Sequence, residues 1–158
     1  MAKEIERKFL VCGQAWRALA VGVVYRQGYL NSARERTVRV RTAGDRAYLT
    51  VKGPTQGISR LEFEYEIDYA EAVQMLSELA EKPIIEKTRY RIARGAHVWE
   101  IDEFHGDNDG LIVAEVELSD PDEPIDCPEW IGQEVSDDPR YFNSSLASHP
   151  YRLWKNTP

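Results

Sequence analysis

Six segments of the chain carry two residues of the same charge sign separated by one position: Glu4 and Glu6, Arg39 and Arg41, Glu62 and Glu64, Lys87 and Arg89, Glu100 and Asp102, and Glu115 and Glu117. On an extended strand, residues i and i+2 lie about 6.6 Å apart and point the same way, so such pairs repel unless water or a counter-charge intervenes. One pair alone reads as a solvated face, because isolated surface charges cost little. Six together point to a shared, enclosed surface. Carboxylates alone would suit a bare cation and basic groups alone a bare anion. The combination suits a hard divalent cation carried with a polyphosphate: Mg²⁺ takes a few carboxylate oxygens along with phosphate oxygens, while Arg and Lys hold the remaining phosphate charge.

The elements that must position these residues read mostly as strands. Alternation with period 2 predicts eight of them, over Glu4 to Val11, Tyr25 to Leu30, Thr37 to Thr42, Arg46 to Lys52, Ser59 to Ile67, Ile84 to Ile92, His97 to Phe104 and Leu111 to Leu118. Turn signals such as Gly44-Asp45, Gly53-Pro54 and Arg94-Gly95 join antiparallel neighbours. Lys8 and Lys52 share the polar faces of the first and fourth strands. Eight strands can close into a barrel, which removes sheet edges and leaves an interior lined by alternate side chains. The fold class is therefore mainly β (α+β), an eight-stranded antiparallel closed barrel enclosing a charged tunnel, with a few covering helices. If the ionic residues face inward, then Val38, Val40, Leu49, Val51, Leu61, Phe63 and Tyr65 face outward and need cover. A helix from about Ala70 to Ala80, capped by Asp68 and ended by Pro83, can supply it. A shorter helical turn is expected over Gln14 to Ala20, and Asp138-Pro139 opens a last helix through about Ala147.

The 158 residues carry 20 Lys+Arg against 27 Asp+Glu, a formal net charge of −7, with 42% hydrophobic and 30% charged residues. That is a single domain, 1–158, able to build a core, and its acidic balance speaks against nucleic-acid binding, which rests on excess Lys and Arg. Cys12 and Cys127 are too few for a disulfide framework and fit a reducing cytoplasm. No run approaches the roughly 18 apolar residues of a membrane span, and the charged MAKEIERKFLV start is unlike a signal peptide. The expected location is cytoplasmic. His97, His105 and His149 lack zinc-ligand spacing, and neither GxSxG nor GxxxxGKT is present.

Glu4-Ile5-Glu6-Arg7-Lys8 resembles the ExExK signature of the CYTH superfamily, the triphosphate tunnel metalloenzymes. The segments Val38-Arg39-Val40-Arg41, Thr50-Val51-Lys52, Arg60-Leu61-Glu62-Phe63-Glu64, Glu86-Lys87-Thr88-Arg89-Tyr90, Glu100-Ile101-Asp102 and Ala114-Glu115-Val116-Glu117-Leu118 stand in the family's order, across essentially the whole chain. The resemblance implies an eight-stranded tunnel that binds a triphosphate with a divalent metal, Mg²⁺ or Mn²⁺. By position, Glu4, Glu6, Asp102, Glu115 and Glu117 are expected on the metal side, and Lys8, Arg39, Arg41, Lys52, Lys87 and Arg89 on the phosphates. Lys8, Glu62 and Glu64 are assigned to the catalytic step, the two glutamates through a second metal or metal-bound water. Arg140-Tyr141-Phe142-Asn143 resembles the family's segment near one tunnel mouth.

The implied reaction is hydrolysis of a phosphoanhydride by in-line attack of water, with inorganic triphosphate, cleaved to pyrophosphate and phosphate, as the leading substrate. A nucleoside or thiamine triphosphatase, an adenylate cyclase and a non-catalytic polyphosphate-binding module remain alternatives. An organic substituent would need an aromatic clamp; Trp16, Tyr25, Tyr29, Trp99 and Trp130 are read instead as core or cover. The expected partner is a small-molecule triphosphate, with no nucleic acid and no membrane; a homodimer is left open. Ser144 and Ser145 are read as ordinary helix surface.

Overall fold

The computed structural model describes residues 3–156. Its strands are β1 (Lys3–Val11), β2 (Val23–Asn31), β3 (Thr37–Ala43), β4 (Arg46–Lys52), β5 (Ser59–Ile67), β6 (Ile85–Arg94), β7 (His97–Phe104), β8 (Ile112–Glu117) and β9 (Ile131–Glu134); the α-helices are α1 (Tyr69–Glu78) and α2 (Asn143–Ser148). All strand pairs are antiparallel, in the order β5-β4-β3-β2-β6-β7-β8-β1, and β5 meets β1 again through Lys3↔Leu61, Glu4↔Arg60 and Ile5↔Ser59. That short seam closes an eight-stranded barrel. The far half of β1 pairs with β9 instead, at Phe9↔Glu134 and Val11↔Ile131.

All eight expected strands are present, with boundaries shifted by at most a few residues. The ninth, β9, sits in a proline-bearing stretch too short for an alternation signal. Residues 15–18 form a 3-10 turn rather than a longer helix. The last helix is divided: Pro139–Tyr141 is 3-10 and α2 begins afterwards, because Phe142 is extended, with φ −68° and ψ 137°.

The barrel wears its hydrophobic core on the outside. The outward residues Ile5, Phe9, Ile92, Trp99, Ile101, Ala114 and Val116 are buried under the segments that carry Trp16, Leu118 and Trp130. Phe9 and Trp99 meet edge to face at 5.5 Å between ring centroids, and Trp99 and Trp130 at 6.0 Å, arrangements that add about 0.5–1.5 kcal/mol each beyond area burial. The three tryptophans are therefore core, as expected.

A second apolar layer forms where α1 lays Ala72 and Leu76, with Ala80 just beyond, on Val40 and Ala47. Asp68 caps this helix by accepting from the Glu71 amide at 3.1 Å, a contact of about 1 kcal/mol. Its approach also depends on Gly28, where a Cβ would lie 2.8 Å from that of Ala80. The helix covers less than expected. Leu61, Phe63 and Tyr65 on the outer face of β5 remain 56%, 42% and 59% exposed, because α1 leaves β5 at Asp68 and packs over β3 and β4.

Candidate active site

Alternation carries the ionic residues inward. Glu4, Glu6 and Lys8 on β1, Arg39 and Arg41 on β3, Lys52 on β4, Glu62 and Glu64 on β5, Lys87 and Arg89 on β6, Glu100 on β7, and Glu115 and Glu117 on β8 all line one cavity of ≈ 440 Å³. These residues come from seven strands, so only barrel closure brings them together. One end of the channel is shut by an apolar plug. Ile85, Phe104 and Val113 continue the inward faces of β6, β7 and β8 and pack with Leu111 on Leu146 of α2.

The ion pairs fall into four groups. In the deepest, Asp102 accepts from Arg89 Nε and Nη2 at 2.7 and 2.8 Å and meets Lys87 Nζ at 2.7 Å, while Arg89 also reaches Glu115 at 3.1 Å and Glu100 at 3.3 Å. Beside it, Lys8 Nζ lies 3.3 Å from Glu115 and donates to the Tyr141 carbonyl at 3.2 Å. Near the seam, Lys52 meets Glu4 at 3.1 Å and Glu62 at 3.4 Å. On β3, Arg41 meets Glu64 at 2.9 Å, and Thr50 donates to the same Glu64 oxygen at 3.0 Å.

The charges are not evenly compensated. Burial alone would raise the Asp102, Glu115 and Glu4 carboxyls. Arg89 and Lys87 hold Asp102 below the usual carboxylate range, Lys8 and Arg89 hold Glu115 well below it, and Lys52 holds Glu4 below it. Glu6 goes the other way: burial in the channel and the carboxylates of Glu115 and Glu4 push it well above its usual value. Glu117, directly opposite Glu6 in the β1–β8 register, is raised by burial and by Glu4 and Glu100. Glu62 is raised by burial and by Glu4. Burial lowers the Lys87 ammonium to about 8 against the pull of Asp102. Burial, Arg39 and Arg89 together lower the Arg41 guanidinium to about 10.

Among the described residues, no three carboxylate, imidazole or thiolate groups converge closely enough to hold an ion as they stand. The donor set nonetheless fits a hard divalent cation. Glu4, Glu6, Glu115 and Glu117 offer only oxygens from two adjacent strands, and like charges face one another at Glu6↔Glu117, which a cation would relieve. Asp102 is placed differently from its expected position on the metal side: it does not line the cavity, and both its oxygens are occupied by Arg89 and Lys87.

Some lining residues lie outside the ionic pattern: Phe142 and Asn143 fall in the segment expected near a tunnel mouth, whereas Tyr25 and Tyr29 read from the sequence as core or cover and Ser144 as helix surface. Tyr25 and Tyr29 of β2 face the cavity rather than serving only as core or cover, as do Ser136, Phe142, Asn143 and Ser144. The tyrosines occupy alternate positions with Gln27 on a strand otherwise poor in charge, so no ionic pattern marked them. Asn143 accepts from Lys87 Nζ at 3.1 Å, and the Phe142 ring lies 5.6 Å from Lys8 Nζ. Ser144 therefore sits on the channel side of α2, not on open helix surface.

The CYTH domain model matches residues 2–151. The chain belongs to the CYTH family. A protein of Acetivibrio thermocellus named inorganic triphosphatase is 53% identical over 155 residues, covering 98% of this chain and 99% of the relative. A second of that name, from Nitrosomonas europaea, is 38% identical over 149 residues, covering 91% and 96%. Among solved structures, the inorganic triphosphatase NE1496 superposes with a TM-score of 0.66 at 34% identity, covering 93% of this CYTH chain and 95% of that one. A putative adenylate cyclase from Bacillus halodurans superposes with a TM-score of 0.59 at 17% identity, over 77% and 84%. The last match concerns the fold alone.

Proposed function

We propose that this CYTH chain is a metal-dependent inorganic triphosphatase that cleaves tripolyphosphate to pyrophosphate and phosphate. The observation that carries the reading is one channel holding both an under-compensated carboxylate pair, Glu6↔Glu117, and a basic wall from β3, β4 and β6. The two relatives named inorganic triphosphatase support the choice of substrate.

Glu4, Glu6, Glu115 and Glu117 would hold Mg²⁺ or Mn²⁺, which supplies Lewis-acid polarisation of phosphate oxygens and offsets their charge. Arg39, Arg41, Lys52, Lys87 and Arg89 bind the phosphate chain along the opposite wall and spread its negative charge over several donors. Lys8, tied to Glu115 and to the Tyr141 carbonyl, would stabilise the charge that develops on the departing pyrophosphate. Water attacks the terminal phosphorus in line as the bridging P–O bond breaks. Glu62, whose carboxyl is raised by burial and by Glu4, would accept a proton from that water, and Glu64, 2.9 Å from Arg41, would keep that guanidinium aimed at the chain. No covalent intermediate is needed.

Both cysteines are exposed and free, and among the described residues no helix is long and apolar enough to cross a membrane; the cytoplasm is the proposed location. The test is phosphate release from tripolyphosphate, ATP and thiamine triphosphate with Mg²⁺, with Mn²⁺ and with chelator. Tripolyphosphate should be turned over fastest, and only with metal. Tight binding without turnover would instead identify a polyphosphate-binding module, and preference for ATP a nucleotide enzyme.

A further inference from the structure

The arginines of the basic wall are held unequally. Arg89 makes four ionic contacts, to both oxygens of Asp102, to Glu115 and to Glu100. Arg41 has one carboxylate partner among the described residues, the half-exposed Glu64 at 2.9 Å, and its buried Nε has no partner. It is also repelled by Arg39 and Arg89, which contribute to its lowered affinity for the proton. Something besides Glu64 must keep this guanidinium in place.

The β2 register supplies it. Tyr25 stands opposite Ala43 on β3 and Lys87 on β6, so Arg41 and Arg89 are its diagonal neighbours on the two flanking strands. The guanidinium carbon of Arg41 lies 5.1 Å from the centroid of the Tyr25 ring and that of Arg89 lies 4.9 Å from it. The negative π face attracts both cations, and more strongly where water is excluded. Tyr48 lies 5.7 Å from Arg41 and adds a longer contact of the same kind.

We propose that Tyr25 is a positioning residue for triphosphate hydrolysis, its ring holding the Arg41 and Arg89 guanidiniums as a preset pair of phosphate donors. The inference rests on the triphosphatase reading and adds to it a residue that acts through the arginines rather than on the reacting atoms. The ring lowers the cost of gathering two like charges before substrate arrives, so its main effect falls on Arg41, the less well held of the two. Its hydroxyl is not required.

The experiment is a double-mutant cycle read both as tripolyphosphate affinity by titration calorimetry and as kcat and KM under saturating metal. Tyr25→Leu and Tyr25→Met are expected to weaken affinity and kcat/KM about tenfold, with the larger part in KM, while Tyr25→Phe restores nearly the wild-type value. In an Arg41→Ala background, Tyr25→Leu should change affinity by less than about twofold, whereas in a Lys52→Ala background the full loss persists. Thermal midpoints show which variants fold, and Tyr25→Met replaces Tyr25→Leu if the latter does not.

Equal losses in the Arg41→Ala and Lys52→Ala backgrounds, or a Tyr25→Phe variant as impaired as Tyr25→Leu, would overturn the proposal while leaving the triphosphatase reading intact. A wild-type chain that binds tripolyphosphate without hydrolysing it would sink that reading, with the affinity cycle still deciding the role of Tyr25. A wild-type chain that does neither would overturn both.

Discussion

At the Lys87–Asp102–Arg89 node, Asp102 has cationic partners at 2.7 and 2.8 Å, whereas at Glu6 and Glu117 two carboxylates face each other across β1 and β8 with no cationic partner among the described residues. Lys87, Arg89, Glu6 and Glu117 line one channel, and both groups are built from ionisable side chains. The first is closely compensated, and breaking it leaves Lys87 and Arg89 short of a counter-charge where all three side chains are less than a tenth exposed. The second is left uncompensated, and burial with neighbouring carboxylates raises both of its carboxyls. Charge count therefore does not separate a compensated cluster from the proposed cation site. Local compensation does.

The contrast can be broken in four ways. Asp102→Asn is expected to have the largest effect on folding, about 3–5 kcal/mol, because it leaves buried Arg89 and Lys87 short of a counter-charge; denaturant unfolding measures it. An Asp102→Asn variant of normal stability that loses only its metal response would instead return Asp102 to the metal side.

Glu6→Gln should do the reverse. Turnover falls about 100-fold or more, yet the metal-free protein gains up to about 1 kcal/mol at neutral pH, since a like-charge pair is removed. The sign follows from the raised pKa: a carboxyl that titrates higher when folded loses stability as pH climbs past the unfolded value. The advantage of Glu6→Gln should thus vanish near pH 4 and grow above it, as thermal midpoints at several pH values would show.

A smaller effect is expected from ion alone. Mg²⁺ or Mn²⁺ without substrate should raise the midpoint of the wild-type protein by a few degrees and leave that of Glu6→Gln unmoved; equal shifts would contradict the assignment of Glu6. The smallest concerns Lys87, whose ammonium is lowered to about 8 by burial. A lysine whose folded pKa lies below its unfolded one costs stability at neutral pH, and that cost fades as pH rises from about 8 toward 10.4. The midpoint difference between wild type and Lys87→Met should move in favour of wild type over that interval.

Much of this architecture was legible before any coordinates, because the strands alternate. Glu4, Glu6 and Lys8, like Glu115 and Glu117, must share a face whatever the fold, and once eight strands close, that face is the channel. What alternation does not encode is depth along the tunnel. Asp102 and Glu100 are two residues apart on one face, yet the first is enclosed by Arg89 and Lys87 while the second lies nearer the mouth beside the exposed Arg91. Contacts such as Lys52 to Glu4 or Arg89 to Glu115 depend on strand stagger around the barrel, which no local pattern reports. Tyr25 could supply an aromatic clamp but reads from the sequence as core or cover, because an aromatic on a strand passes for core until the charges beside it are seen. The expected cover for Leu61, Phe63 and Tyr65 failed for a simpler reason: one ten-residue helix spans only about 15 Å and cannot blanket three strands.

The placement of Trp99, Phe9 and Val116 on the outer side of the same strands that present Glu100, Lys8 and Glu117 to the channel has an evolutionary corollary. Neighbouring codons answer to separate selective demands, odd and even positions in turn. Chemistry at the axis can be rewritten while the hydrophobic rind goes on folding the shell, so that the channel can change without the barrel first being made sturdier.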